Sequence, residues 1–453
     1  MKRLSTVFLS ALLLVLTAVS CCNGKSSEKE EYAGRVKAAF SKAWTSYMTY
    51  AKGMDAVNPI SHEGHNWYDE SLLMTPVDAF TTMYTMGLEK EMAEAKELIF
   101  NNLSFDKDMY VQQFEIAIRM LGGLLSAYQL DGDERFLDMA KDLGDRMMPV
   151  FDSPTGIPFK MVNLRTGAVK ETQTNPCEVG SMLLEYGMLS RLTGNPEYYE
   201  KCKRGVTAGF DRRNPETNLI GCQIDIETGE WLNTASHISG GIDAYYEYLL
   251  KGWLLFGDED LKKMWEIARV AIDKYVKDEV ESGLWYGQVD MNTGKRLGTW
   301  FGALDCFFGA VLCLDGDMEN AEKLQQSIYK MWTMHGIEPE SVDYSTMQIM
   351  NPMYYGRPEA IEAAYYCWVY TGDEQYYEQG KTMFESIEKY CQLEDGYCQL
   401  KDVRTMEKEN TLESFFYAET LMYCYLFFAD KEDFDFDKVI LNTEAHPFLK
   451  EAK

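Results

Sequence analysis

The chain has 453 residues, with 44 Lys and Arg against 72 Asp and Glu, a formal net charge of −28. That acid excess argues against a nucleic-acid partner and against a basic membrane-surface helix, since both need a cationic face. At 46% hydrophobic and 26% charged residues, the chain is otherwise of ordinary globular composition.

In chain order, the first element is an export signal. Lys2 and Arg3 precede an apolar run from Leu4 to Val19, which ends in small residues and Cys21. A basic start, a short apolar stretch and a small-residue exit make a secretory signal, and the run is too short for a comfortable membrane span. Ala18-Val19-Ser20-Cys21 loosely resembles a bacterial lipobox with Cys21 as the lipidated residue. Residues 1–21 are therefore expected to be a signal peptide, 22–34 a polar tether, and 35–453 one domain. No stretch rich in Pro, Gly or Ser divides that domain. The expected location is the periplasm or cell surface of a Gram-negative bacterium, with a lipid anchor at Cys21 as the only membrane contact.

The next elements repeat. Turns recur at Met86-Gly87-Leu88, Asp131-Gly132-Asp133, Thr193-Gly194-Asn195, Phe256-Gly257-Asp258, Asp315-Gly316-Asp317 and Thr371-Gly372-Asp373. From Gly132 onward the glycines stand 62, 63, 59 and 56 residues apart, and Phe428-Ala429-Asp430 continues the series without a Gly. Before each turn lies a helix that is apolar nearly all round, such as Phe114 to Leu130, and such a helix must be buried. After each turn lies an amphipathic, charge-laced helix: Glu134 to Met148, Glu197 to Phe210, Asp260 to Lys277, Glu319 to Trp332 and Glu374 to Tyr390. Gly supplies the C-cap of one helix, and Asp or Asn the N-cap of the next. Strand signals are few, at Leu284 to Val289 and Gly221 to Ile226. Seven hairpins of about sixty residues can close into a ring around a cavity or form an open solenoid. The very apolar inner helices favour closure.

Cysteine and histidine point away from zinc and disulfide chemistry. The Cys spacing shows no disulfide framework and no CxxC pair. Only five His are present, and just His62 and His65 are close together, so a zinc site is not expected. Aromatic residues are 13% of the chain, as a sugar-binding cleft or a large helical core would require. Ser-His-Asp order, P-loop and GxGxxG patterns at a strand–helix junction are lacking.

Carboxylates do fall in one phase. Glu115, Glu178, Asp243, Glu359 and Glu413 precede their turns by 17, 16, 14, 13 and 16 residues, and Glu419 follows Glu413 on the same helix. Helix N-termini favour acids anywhere through the macrodipole. Five in phase among large apolar residues is a stronger signal, because buried carboxylates are rare unless they are paired, bind a cation or do chemistry. A ring of acids at the mouth of an aromatic-lined cavity suits glycoside hydrolysis, which needs one acid and one base. It also suits cation binding by hard oxygen ligands.

At these residues the chain resembles the class I α-mannosidases, glycoside hydrolase family 47. The resemblance runs from about Trp44 to Phe448. It is carried by Pro76-Val77-Asp78-Ala79-Phe80, Phe114-Glu115-Ile116-Ala117-Ile118-Arg119, Pro154-Thr155-Gly156-Ile157-Pro158, Asp243-Ala244-Tyr245-Tyr246-Glu247-Tyr248-Leu249-Leu250-Lys251, Arg357-Pro358-Glu359-Ala360-Ile361-Glu362, Glu413-Ser414-Phe415-Phe416 and Asn442-Thr443-Glu444-Ala445-His446-Pro447. It implies an all-α (α/α)7 barrel of seven hairpins with inner and outer helices. It further implies an inverting, calcium-dependent exo-hydrolase of α-1,2-linked mannose that acts on mannose-containing oligosaccharides. A monomer is expected. By motif position, Glu115 matches the general acid, and Asp243 and Glu359 the two candidate general bases. Thr443 matches the residue that binds Ca2+ through its carbonyl and hydroxyl oxygens. Glu178, Glu340, Glu362, Glu419 and Glu444 match acids around the sugar and the calcium waters. Arg119 and Phe415 match pocket residues, with Phe415 under the sugar ring. His446 reads as a packing residue.

Some positions depart from the family pattern. Ala303 and Asp305 stand in place of a His-Leu-x-Cys-Phe run. Cys306 fits a half-cystine of eukaryotic members, but Ser327 falls near its partner's place, so that bridge is not expected. Gly241 replaces a larger specificity residue, Ala244 a Ser, Met422 a Lys and Thr81 an Asp. None removes a proposed catalytic acid. They leave branch specificity open, and they leave a non-catalytic mannose-binding lipoprotein on the same fold as the alternative.

Overall fold

The computed structural model describes residues 28–429 and 434–451. The expected signal peptide, Cys21 and residues 22–27 of the expected tether lie outside these residues. Residues 28–34, by contrast, already belong to a helix, α1, spanning 28–50. The tether boundary therefore moves, because Tyr32 packs into the core against Phe428, at 5.0 Å between ring centroids, and donates to Glu385.

Among the described residues the long helices form two concentric rings. The outer ring holds α1, α3 (Glu89–Asn102), α5 (Glu134–Met147), α7 (Glu197–Asp211), α9 (Glu259–Ala271), α11 (Met318–Thr333) and α13 (Glu374–Cys391). The inner ring holds α2 (Phe80–Met86), α4 (Gln113–Ile116 continuing to Gly122–Asp131), α6 (Leu183–Thr193), α8 (Asp243–Phe256), α10 (Phe308–Asp315), α12 (Glu359–Thr371) and α14 (Phe416–Thr420 continuing to Leu421–Leu426). Each inner helix packs on the next, and α14 returns to α2. The ring is closed, so the open-solenoid reading fails. The chain forms the expected (α/α)7 barrel.

Local chemistry explains the alternation. On α5, Phe136, Ala140, Leu143 and Met147 are buried while Lys141, Asp142 and Asp145 face solvent, the spacing of one apolar stripe. Phe136 sits between Phe80 and Phe100 at 5.0 and 4.8 Å. Truncating such a fully buried ring costs about 3–5 kcal/mol. Inner helices have no such stripe: α10, FGAVLCLD, buries every residue from Phe308 to Cys313. At the turns, Gly87, Gly132, Gly194, Gly257, Gly316 and Gly372 all take φ between 65° and 84°. That left-handed backbone closes a helix at little cost only in glycine. Asp133, Asp258, Asp317 and Asp373 then accept a backbone N–H two or three residues on, and cap the outer helices.

The opposite end of the barrel is built differently. There the outer-to-inner connections are long and carry most of the eight small antiparallel sheets of the described residues, each of two or three strands. Gly283–Tyr286, Gln288–Asp290 and Gln223–Asp225 fall where strand signals stood in the sequence. The other strands have two to four residues each, too short to show a period. A last hairpin, Val439–Leu441 with Pro447–Leu449, plugs the barrel axis. It runs along α4: Leu449 N–H donates to Gln129, Ser126 donates to the Pro447 carbonyl, and Asn442 donates to the Ile118 carbonyl. Gly122 makes room for it, because a Cβ there would stand 2.7 Å from Asn442 Nδ2.

Candidate active site

The inner helices begin around a cavity of about 320 Å3. Eight carboxyls line it: Glu115 on α4, Glu178 on the short helix Pro176–Gly180, Asp243 and Glu247 on α8, Glu359 and Glu362 on α12, Glu419 on α14, and Glu444 on the plug. Arg119 and Arg357 line it as well, and the buried Lys251 pairs with Glu247 from behind. Phe415 lines it too, and the Arg357 guanidinium lies 5.6 Å from its ring centroid. Two of these side chains ride on π-helical turns. Ala117–Leu121 carries Arg119, and Phe416–Thr420 carries Glu419. A π turn adds one residue to the helical turn and re-aims the side chains on it, a device common at functional sites.

Arg119 is the electrostatic hinge of the cavity. It pairs with Glu115 and with Glu444, each at 2.9 Å, and so joins the wall to the floor. Arg357 pairs with Glu340 at 3.1 Å. Three cations, Arg119, Arg357 and Lys251, do not neutralise eight carboxyls. Burial pushes Glu359, Glu362, Glu419 and Glu444 above the ordinary carboxyl range, and their mutual repulsion adds to it. Burial pushes Glu178 up to about 8, with the Glu115 charge assisting, despite hydrogen bonds from Gln112 and Gln113. Asp243 is also raised by burial, although Cys177 and the Ala244 N–H donate to it.

The floor has the chemistry of a hard-cation site. Thr443 lies on the cavity lining, and its N–H donates to Tyr248 Oη at 3.3 Å. Glu444 Oε1 and Glu359 Oε2 are buried without a hydrogen-bond partner. Buried carboxylate oxygens with no partner are costly. A divalent cation with its waters would satisfy them and relieve the repulsion, so the residues present fit Ca2+. Among the described residues no three His, Cys, Asp or Glu side chains converge as direct ligands.

The cavity gathers Glu115, Asp243, Glu359, Arg119, Glu178, Glu362, Phe415, Glu419, Thr443 and Glu444. Glu340 stands behind the wall, as the partner of Arg357. Glu413, in phase by sequence, is spent elsewhere. Burial opposes its charge, but His65, Thr411 and Trp67 hold its carboxyl below the ordinary value. His446 is a packing residue, as expected, buried between Thr81 at 2.9 Å and Asp78 at 3.1 Å. Cys306 carries a free buried thiol. At Gly241 the backbone takes φ 93°, and a Cβ would meet nothing nearer than Asn175 at 3.8 Å, so this side of the mouth is open. Sequence reasoning missed Glu247 and Arg357 as wall residues, although Glu247 lies one helical turn after Asp243 and Arg357 two residues before Glu359. It also missed Cys177, for which no pattern signals a role.

The model of glycosyl hydrolase family 47 matches residues 39–450. The chain belongs to this family. Among family relatives, mannosyl-oligosaccharide 1,2-alpha-mannosidase MNS1 of Arabidopsis thaliana is 34% identical over 438 residues, covering 91% of this chain and 78% of its own. Human ER degradation-enhancing alpha-mannosidase-like protein 3 is 32% identical over 456 residues. The chain spans about half of that relative's length, 48%, and 92% of itself is covered. The solved alpha-1,2-mannosidase from Trichoderma reesei superposes with a TM-score of 0.86 at 26% identity, covering 93% of this chain and 99% of that one.

Proposed function

We propose that this family 47 protein is an inverting exo-glycosidase that removes terminal α-1,2-linked mannose from mannose-rich glycans, with Ca2+ as cofactor. The observation that carries the reading is the acid-lined cavity at the inner-helix N-termini, which holds Glu115, Asp243, Glu359 and Thr443 together. Relatives with named α-1,2-mannosidase activity support the substrate class.

The chemistry assigns roles as follows. Phe415 forms a flat apolar face for the sugar ring, and Arg119 and Arg357 donate to its hydroxyls. Glu115, fixed by Arg119, gives its proton to the departing glycosidic oxygen. Asp243 or Glu359 takes a proton from water on the opposite face of the sugar. An inverting reaction needs acid and base about 6.5–9.5 Å apart to seat that water. Thr443 would hold Ca2+, with Glu178, Glu362, Glu419 and Glu444 around its waters and Glu340 supporting through Arg357. When bound, the ion supplies charge stabilisation and orients sugar hydroxyls. Among the described residues no helix is long and apolar enough to cross a membrane. We place the protein outside the cytoplasm, as a monomer anchored through Cys21.

The test is mannose release from α-1,2-mannobiose and from high-mannose glycans, with and without EDTA. Calcium-dependent release with inversion supports the proposal. Tight mannoside binding without product at any calcium level would replace it with the non-catalytic binding reading.

A further inference from the structure

Asp243 is tied to its surroundings by a residue that the family resemblance does not single out. Cys177 lies at the start of the helix Pro176–Gly180, which Asn175 caps. Its thiol reaches Asp243 Oδ1 at 2.6 Å, and its backbone N–H donates to the Gly241 carbonyl at 3.1 Å. One residue thus holds both the Asp243 side chain and the loop that delivers it. The other hydrogen bond to the carboxylate, from the Ala244 N–H at 2.9 Å, also goes to Oδ1. Cys177 is only 3% exposed, yet it lines the cavity, so the contact is made inside the site.

We infer that Cys177 is a positioning residue for Asp243. The thiol donates to Oδ1, locks the carboxylate rotamer and leaves Oδ2 as the oxygen presented to the attacking water. Charged neighbours alone would not set that orientation. Glu247 one turn along α8 and Asp305 across the mouth repel the carboxylate, and Arg357 attracts it, without a recorded hydrogen bond from any of the three. A thiol is a weak donor, so the contact orients and mildly favours the ionised form. This inference rests on the proposed hydrolase activity, with Asp243 acting on water.

The experiment compares Cys177→Ser, which keeps a donor, with Cys177→Ala, which removes it, in the full-length calcium-loaded enzyme on α-1,2-mannobiose. Cys177→Ala should lower kcat about tenfold, as expected for loss of a weak hydrogen bond to a charged group, with little change in KM. Its acidic pH–kcat limb should move to higher pH, because a carboxylate without its donor ionises later. Cys177→Ser should restore both. In an Asp243→Asn background, Cys177→Ala should add no further loss, since the thiol acts through Asp243. Cys177→Val supplies the non-donor readout where Cys177→Ala does not fold. Wild-type kcat and an unmoved pH limb in the non-donor variants overturn the inference, as does an equal loss in the Asp243→Asn background. An inactive wild-type enzyme instead overturns the proposed function.

Discussion

The two ends of the barrel solve the same problem, the unsatisfied groups at helix termini, in opposite ways. At the turn end nearly every group is closed: a left-handed Gly ends each inner helix from α2 to α12, and Asp133, Asp258, Asp317 and Asp373 cap the outer helices that follow. At the mouth, Gln112, Ile242 and Pro358 precede the inner helices that carry Glu115, Asp243 and Glu359, and none offers a side-chain cap. Carboxyls instead face a cavity, and the first-turn N–H groups go to neighbouring backbone carbonyls or, at Ala244, to Asp243 itself. The difference teaches where stability has been maximised and where it has been withheld for a ligand.

Changes at the mouth should remove activity and leave the fold. Glu115→Gln and Glu359→Gln are each expected to lower kcat about 10²–10⁴-fold, the usual range for losing a general acid or base. Glu359→Gln should keep the wild-type melting temperature or exceed it, because a neutral side chain relieves carboxylate repulsion, whereas Glu115→Gln gives up its pair with Arg119. Near-normal turnover of Glu359→Gln would leave Asp243 as the base. Chelation with EDTA should abolish turnover and lower the melting temperature. A ligand at a thousand times its Kd stabilises by about 4 kcal/mol, so calcium titration of thermal unfolding measures this directly.

Buried carboxyls at and beneath the mouth also predict an unusual pH dependence of stability. Burial pushes Glu178 and Asp305 up to about 8 and Glu185 up to about 7. Their folded-state values lie above their unfolded ones, so the folded chain binds more protons in between. Without calcium, stability should therefore be fullest below about pH 4 for these groups and fall as pH rises toward 8. Calorimetry from pH 5 to 8 in EDTA should show that fall, and calcium should shrink it.

The turn end should respond in the reverse sense. Asp373→Ala removes an exposed cap that accepts from the Gln375 N–H at 3.0 Å. It is expected to cost about 1 kcal/mol and to leave kcat and calcium affinity unchanged. Lost activity in this variant would mean that the two ends are coupled through the inner helices.

Much of this was readable from residues alone. The Gly-Asp turns exposed the repeat because only glycine closes a helix cheaply in the left-handed conformation, so each turn leaves the same trace. The acids Glu115, Asp243 and Glu359 kept one phase because each sits near the start of an inner helix, and Glu178 kept it from the short helix that precedes one. Glu413 shared that phase and served another purpose. Its partners His65 and Trp67 lie some 350 residues away, and no local pattern carries such a contact.

By itself, then, the sequence determined the helical hairpins, their alternation of buried and solvated faces, and the candidate acids. These follow from periodicity and capping, which act over a few residues. Closure of α14 onto α2, insertion of Thr443 and Glu444 beneath Arg119, the π turns that aim Arg119 and Glu419, and the grip of Cys177 on Asp243 were decided only by the tertiary structure. Each depends on residues brought together across the ring, where packing and desolvation outweigh local preference.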